Sequence, residues 1–261
     1  MTALLSVDKV GFVQRGNLKG IKRANSFELS PISFELNSGE TLAIVGENGS
    51  GKSLLGKLLV GAEKPTSGNI YLNGQKLSPH NLKQRCLNIR MIFQHSNESL
   101  NPGITVAKIL EEPLILNTQL TSSERKQKIM KTLNTVGLVN DHMYFYRHML
   151  SDGQRQRLAL AKALILDPLV IVADEPFAAL DPSVRSQTIN LIMKLQMELG
   201  LGFIFISHNL GIVRHISDRA LILRHGQLVE IGKTEVIFNW PKSEYTEKLV
   251  MSHQSLVSPK V

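Results

Sequence analysis

Eight consecutive residues, Gly46-Glu47-Asn48-Gly49-Ser50-Gly51-Lys52-Ser53, have the spacing G-x-x-x-x-G-K-[ST]. That is the spacing of a loop built to hold the phosphates of a nucleotide. Its glycines let successive backbone N–H groups converge on phosphate oxygens without Cβ clashes. In such a loop Lys52 reaches the β- and γ-phosphates and the Ser53 hydroxyl ligates Mg²⁺. A second constellation, Asp174-Glu175, directly follows the apolar run 169–173. In open α/β sheets ligands bind outside the carboxyl ends of strands. Asp174 is thereby placed to bind Mg²⁺ through water. Glu175 is placed to orient or deprotonate an attacking water, help worth about 10²–10⁴ in rate. The plain alternative is two solvated loop carboxylates, and the phosphate loop upstream weighs against it.

Two single residues are placed in the same way. His208 follows the apolar run 203–206, and Gln94 ends the run 88–93. His208 there contacts a γ-phosphate or is simply structural. The Gln94 amide would ligand Mg²⁺ and its water, although by itself it signifies nothing. Leu150-Ser151-Asp152-Gly153-Gln154 carries more. Ser151, with Gln154 three residues on, forms a capping box for the helix that follows. That helix start also turns free N–H groups and a positive dipole end outward, a ready anion site. The phosphate loop already holds this chain's own phosphates, so a second phosphate site makes sense if it serves another subunit's nucleotide.

These groups need elements to hold them. Residues 41–45 read as a short buried strand, and Leu54, Leu55, Leu58 and Leu59 put one apolar face on a helix that Gly61 ends. Residues 4–13 read as an edge strand, followed by a polar loop to 26 and a strand over 27–37. Pro65-Thr66-Ser67-Gly68 is a turn, residues 69–73 alternate, and Asn73-Gly74 predicts a hairpin. From 95 to 166 the pattern is mainly helical: 104–116 broken by Pro113, 122–136 closed by Gly137, and 151–166 stopped before Asp167-Pro168. The α/β alternation returns at 169, with 169–173 a strand buried on both faces. Asp181-Pro182 then opens a helix with Val184, Thr188, Ile192, Leu195 and Leu199 on one face and Gly200 past its end. The expectation is a parallel α/β core interrupted by a helical insert.

The 261 residues suffice for a large core, and the formal net charge is +8. A solvated basic surface with cations facing a nucleotide accounts for the charge; nucleic acid or an anionic membrane face are the sharper readings. The basic residues gather at Arg15, Lys19, Lys22 and Arg23, and at Arg125, Lys126, Lys128 and Lys131. No aromatic residues interleave with them as a single-strand-binding groove needs. Cys86 is the only cysteine, so an internal disulfide or a cysteine-bound cluster is excluded, and a small buried hydrophobe is its expected role. No signal peptide is evident, and no apolar run approaches the ~20 residues of a membrane span. Any membrane role is expected through a partner.

Together these stretches resemble the nucleotide-binding subunit of an ABC transporter, over nearly the whole chain. Residues 46–53 match Walker A, Gln94 the Q-loop, 150–154 the LSGGQ signature, and 169–175 Walker B with its glutamate. Ala178-Ala179-Leu180-Asp181 resembles the D-loop and His208 the switch histidine. Finer features are similar to the oligopeptide, dipeptide and nickel branch: Met91-Ile92-Phe93-Gln94 with Ser99-Leu100-Asn101-Pro102, and the tail Asn239-Trp240-Pro241 through Tyr245-Thr246 to Leu249. Asn117-Thr118, His148-Met149-Leu150, Ala163-Leu164-Ile165-Leu166 and Arg185-Ser186-Gln187 are similar to ATP-binding subunits of antimicrobial-peptide transport systems.

The resemblance implies an α/β fold: a P-loop NTPase core of ABC type with an antiparallel β subdomain and a helical insert subdomain. It divides the chain into 1–94 (β subdomain and Walker A part), 95–166 (helical subdomain with signature), 167–238 (Walker B, D-loop and H-loop part) and 239–261 (tail). ATP and Mg²⁺ are the implied cofactors, with Ser53, Gln94 and Asp174 at the metal and Glu175, Gln94 and His208 catalytic. Phe12 is the candidate for stacking on adenine, although Gln14 stands at the aligned position. Two subunits would clamp two ATP molecules head to tail, Ser151, Asp152, Gly153 and Gln154 facing the partner's nucleotide. The implied partners are a related second ATPase (a homodimer being the alternative), two transmembrane permease subunits and, indirectly, a solute-binding protein, with no nucleic acid. The implied place is the cytoplasmic side of the bacterial inner membrane, as a peripheral protein.

Three positions depart from the pattern. Asp152 replaces the first signature glycine, which suits a helix start but repels a γ-phosphate unless its side chain points away. Ala178 replaces the usual D-loop serine, and His95 stands where aspartate is usual. Asp181 is retained, and would equally serve as the N-cap of its helix. Two other functions remain open on the residues: a soluble ABC ATPase acting on nucleic acid or ribosomes, and a weakly active regulatory subunit.

Overall fold

The computed structural model describes residues 3–13, 27–78, 81–93, 100–178 and 180–257. The strands are β1 (Leu5–Val13), β2 (Glu28–Leu36), β3 (Thr41–Val45), β4 (Ser67–Leu72), β5 (Gln75–Lys76), β6 (Ile89–Ile92), β7 (Val170–Asp174), β8 (Gly202–Ser207), β9 (Arg219–Arg224) and β10 (Gln227–Lys233). The helices are α1 (Lys52–Val60), α2 (Leu82–Asn88), α3 (Val106–Asn117), α4 (Ser122–Thr135), α5 (Asp152–Leu164), α6 (Pro182–Leu199), α7 (Leu210–Ile216), α8 (Thr234–Asn239) and α9 (Glu244–Val257). Short 3-10 turns cover Asn140–Tyr144 and Arg147–Met149. Two compact units emerge, one from Met1–Leu82 with Gly202–Val261, the other from Lys83–Leu201.

The first unit holds an antiparallel sheet in the order β2-β1-β4-β5. β1 pairs on one side with β2 and on the other with β4. The sequence suggested an edge strand here, and the pairing corrects that. Leu5, Val7 and Val10 of this strand are buried. Asn73 and Gly74 turn β4 into β5 at φ 49° and 75°, the left-handed geometry a tight hairpin needs. In the same unit β3 lies between β8 and β9, parallel to both, and β10 returns antiparallel beside β9. All five residues of β3 and all six of β8 are buried, as continuous apolar runs in parallel strands are.

The tail docks on this unit through β9 and β10. The Glu230 carboxylate, nearly buried, accepts the backbone N–H groups of Lys242 and Ser243. The Tyr245 ring lies under the Arg224 guanidinium, 4.7 Å from its centroid. A cation over a ring face is worth about 0.5–2 kcal/mol.

In the second unit β6 and β7 form a parallel pair, and helices α3 to α6 make up most of the rest. The predicted helices over 122–136 and 151–166 are present as α4 and α5. Pro113 does not break α3, contrary to expectation. It sits inside the helix, and Asn117 Nδ2 and Thr118 Oγ1 donate to the Pro113 and Leu114 carbonyls, closing the last turn with side chains. Helix α2 escaped the sequence reading. Cys86, on α2, is exposed rather than buried. On α6 the stripe holds at Thr188, Ile192 and Leu195, but Leu199 is 52% exposed, because the helix ends there at Gly200. Gln14, Arg15, Lys19, Lys22, Arg23, Gln94, His95, Ser99 and Ala179 lie outside the described residues.

Candidate functional site

β3 delivers the chain into the glycine loop and α1 takes it away. Gly51 is the N-cap of α1 at φ 105°, with no side chain capping the helix start. Ordinary residues avoid that conformation, so a glycine stands where the loop turns into the helix. At Gly46 space is the constraint, since a Cβ would come 2.1 Å from the Leu223 carbonyl oxygen of β9. The turn after β9 supports the loop directly: Gly226 N–H donates to the Ser50 carbonyl at 3.0 Å, and the Gly226 carbonyl accepts from Ser30 N–H at 2.8 Å.

Lys52 is buried, and its ammonium donates to the carbonyls of Gly46 (2.7 Å) and Glu47 (2.9 Å). An ammonium buried without such partners would be costly. The Ser50 hydroxyl is buried without a hydrogen-bond partner. Leaving a buried hydroxyl unmatched costs about 1–3 kcal/mol, which a ligand oxygen in the loop would recover. This orphaned group and the glycine cradle fit a bound phosphate chain. Ser53 is exposed on the first turn of α1.

β3 and β8 pair Val45 with Ser207, so Gly46 and His208 leave adjacent parallel strands in step. His208 is exposed there, one residue before Asn209 caps α7. Phe12 pairs with Leu29, whose side chain, with that of Phe27, closes on Gly51. Phe27, Glu28, Ser30, Gly49, His225 and Gln227 line a cavity of about 340 Å³ beside the loop. The sequence reading passed over Phe27, whose only signal was an aromatic at the mouth of a strand. On the tail side burial is the main cause that pushes the Tyr245 hydroxyl above its ordinary pKa.

In the second unit Asp174 is the buried last residue of β7. Glu175 follows at φ 47°, a left-handed conformation that a glutamate adopts at a cost of order 1 kcal/mol. Such strain gathers at functional sites. β6 ends at Ile92 beside Ala173, so the chain leaves β6 next to Asp174. Gln156, which the sequence reading missed, is buried on α5 and donates to the Pro176 carbonyl at 3.0 Å. Its signal was a polar residue in the apolar stripe with Leu160, Ala163 and Leu164.

The capping box at α5 is present in full. Ser151 Oγ accepts Gln154 N–H at 3.3 Å and Gln154 Oε1 accepts Ser151 N–H at 2.9 Å. Asp152 bonds Arg155 at 2.6 Å, so its charge is turned to a guanidinium on its own helix. Asp181 caps α6, accepting from Ser183 and Val184 N–H at 3.0 Å each, and those bonds hold its carboxyl below the usual range. Both helix starts face one cavity of about 510 Å³. Gly153 lies against α6, where a Cβ would come 3.2 Å from Val184.

The site residues thus fall into two sets, each ordered within its own unit. Gly46 to Ser53 stand with Phe12 and His208; Ser151, Asp152, Gly153, Gln154, Asp174, Glu175 and Asp181 belong to the other unit. Among the described residues no helix is long and apolar enough to cross a membrane.

A family model described as ABC transporter matches residues 29–178. The dipeptide transport ATP-binding protein DppF of Escherichia coli (strain K12) is 48% identical over 225 residues, 85% of this chain and 67% of that one. The putrescine export system ATP-binding protein SapF of the same strain is 44% identical over 245 residues, 94% of this chain and 88% of that one. Among solved structures, the dimeric post-hydrolysis state of the ATP-binding cassette MJ0796 bound to ADP and Pi superposes with a TM-score of 0.74 at 27% identity, covering 88% of this chain and 98% of that one. With a glycine-built phosphate loop and a capped signature turn in place, the chain belongs to the ABC transporter family, as an ATP-binding, ATP-hydrolysing subunit.

Proposed function

We propose that this subunit powers a peptide transporter by ATP-driven closure against a second, related ATPase. The observation that carries it is the uncapped start of α1, with its orphaned Ser50 hydroxyl, in step with His208. Gly46, Glu47, Asn48, Gly49, Ser50, Gly51 and Lys52 bind the phosphates, and Phe12 packs on the base. Ser53, Gln94 and Asp174 are hard oxygen donors of the kind Mg²⁺ takes beside phosphates; bound there, the ion would neutralise developing charge on the phosphate oxygens. Glu175 accepts the proton of the attacking water, and His208 reports the γ-phosphate. Ser151, Gly153 and Gln154 close on the partner's nucleotide, with Asp152 held aside by Arg155 and Asp181 at the shared interface.

In this reading 1–94 and 167–238 form the ATPase core with its β subdomain, 95–166 the helical subdomain and 239–261 a tail of the oligopeptide and dipeptide branch. Two permease subunits anchor the pair at the cytoplasmic face of the inner membrane, a solute-binding protein serves them, and no nucleic acid takes part. Peptide as cargo follows the name of DppF; the name of SapF makes a polyamine the second reading.

The test is isolation of tagged Glu175→Gln protein from detergent-solubilised membranes with ATP and Mg²⁺. Recovery of two polytopic proteins and a second ABC ATPase, with turnover lowered at least ~10²-fold, is the expected result. Recovery of ribosomal or nucleic-acid-bound proteins alone would overturn it. Transport of a labelled dipeptide against labelled putrescine in vesicles of the isolated complex separates the two cargoes.

A further inference from the structure

The signature glutamine meets a histidine it cannot fully satisfy. Gln154 has one amide oxygen, and Ser151 N–H occupies it at 2.9 Å. The amide nitrogen is therefore what faces His142 Nε2, 3.1 Å away. Turning the amide over would set two N–H groups against each other at the cap, so the capping box fixes this orientation. On the other side of the ring, Nδ1 accepts Val139 N–H at 3.0 Å. The ring is also held edge-on to Phe145, with centroids 5.1 Å apart at 84°.

A neutral imidazole offers one lone pair and one N–H. Two N–H donors, from Val139 and Gln154, compete for that lone pair. With the proton on Nδ1, the ring accepts from Gln154 and turns an N–H toward Val139. With the proton on Nε2, it accepts from Val139 and turns an N–H toward the glutamine amide. Neither tautomer satisfies both donors. The two arrangements are alternatives built from the same atoms, and each favours a different position of the Gln154 side chain.

We propose that His142 is a positioning residue that gives the Gln154 amide two states, one held against the ring and one released toward the 510 Å³ cavity it lines with Ser151 and Asp181. In the released state the amide N–H groups are available to an oxygen acceptor on a nucleotide carried by the partner subunit. The held state keeps the turn closed on itself. This rests on the reading that the signature turn serves the partner's nucleotide.

Two substitutions separate the halves of the imidazole. In His142→Asn the short amide places an oxygen near the Nδ1 position, keeping the Val139 bond and leaving Gln154 without a ring acceptor. In His142→Gln the longer amide carries an oxygen to the Nε2 position, holding Gln154 without competition. In the complex of both ATPases and both permeases, kcat for ATP is expected to fall about tenfold further in His142→Gln than in His142→Asn, a difference of about 1.4 kcal/mol in the barrier. KM at this chain's own loop should be alike in the two variants. Equal loss in both, or the reverse order, would show a merely structural turn and overturn the proposal. Ser151→Ala in the same complex is the control. If it spares hydrolysis at the partner's nucleotide, the reading of the signature fails and this proposal falls with it. If it impairs that hydrolysis while the His142 pair are equal, this proposal alone fails.

Discussion

The turns that open α1 and α5 are both helix starts suited to anions, and they are built in opposite ways. At α1 the N-cap is Gly51, with no side chain on the first N–H groups, a buried lysine and an unpartnered serine hydroxyl. At α5 the N-cap is Ser151, and Ser151 and Gln154 exchange hydrogen bonds so that the turn completes itself. The first is a receptor left unfinished for a ligand of its own. The second is finished without a ligand, and must give up internal bonds to engage one. In a head-to-tail pair that difference makes the loop the tight site and the signature the conditional one.

The comparison can be broken at either end, beginning where the effect is largest. Gly46→Ala drives a Cβ into the Leu223 carbonyl, a backbone atom with nowhere to go. Overpacking costs about 1–3 kcal/mol or more, so ATP affinity should fall up to ~100-fold by equilibrium dialysis; retained affinity would mean that the loop is not a fixed cradle. Ser151→Ala removes the cap and should cost about 1 kcal/mol in denaturant unfolding. ATP binding by the isolated subunit should stay as it was, and loss of that binding would erase the distinction between the two turns. Gly153→Ala needs Val184 to give by a few tenths of an ångström. It should cost under about 1.5 kcal/mol, with Val184→Ala restoring most of it; additive losses would place the strain elsewhere. The smallest effect belongs to the cap of α6. The Asp181 carboxyl is held low, first by Val184 N–H and then by the Ser183 hydroxyl. A lowered folded pKa contributes stability above the ordinary aspartate value, lost as pH falls through the folded value. Wild type minus Asp181→Asn melting temperatures should therefore shrink on acidification below about pH 4, and a constant difference would assign the cap to geometry alone.

What the sequence made legible was short in range. Both turns announce themselves within eight residues, because glycine conformations and capping side chains act on their immediate neighbours. The buried runs at β3, β7 and β8 were equally plain, since parallel strands shielded on both faces are apolar throughout. The errors needed a partner to be seen. β1 reads as an edge until β4 is known to lie beside it. Pro113 reads as a break until Asn117 and Thr118 are seen to hold its own carbonyl and that of Leu114. Cys86 reads as core on residue type, yet it points outward from a helix with little apolar periodicity. Phe27, Gln156 and His142 were missed for the same reason, since their meaning lies in residues far along the chain or in atoms that only a folded turn brings together.

The self-completed capping box also has a consequence in time. A local helix start forms within about a microsecond, whereas two subunits meet at rates set by diffusion and concentration. Because Ser151 and Gln154 supply each other's bonds, this face of the molecule is shaped before any encounter. In the head-to-tail pair proposed above, the backbone of this turn would be in place before the subunits meet, and only the Gln154 side chain would be left to move.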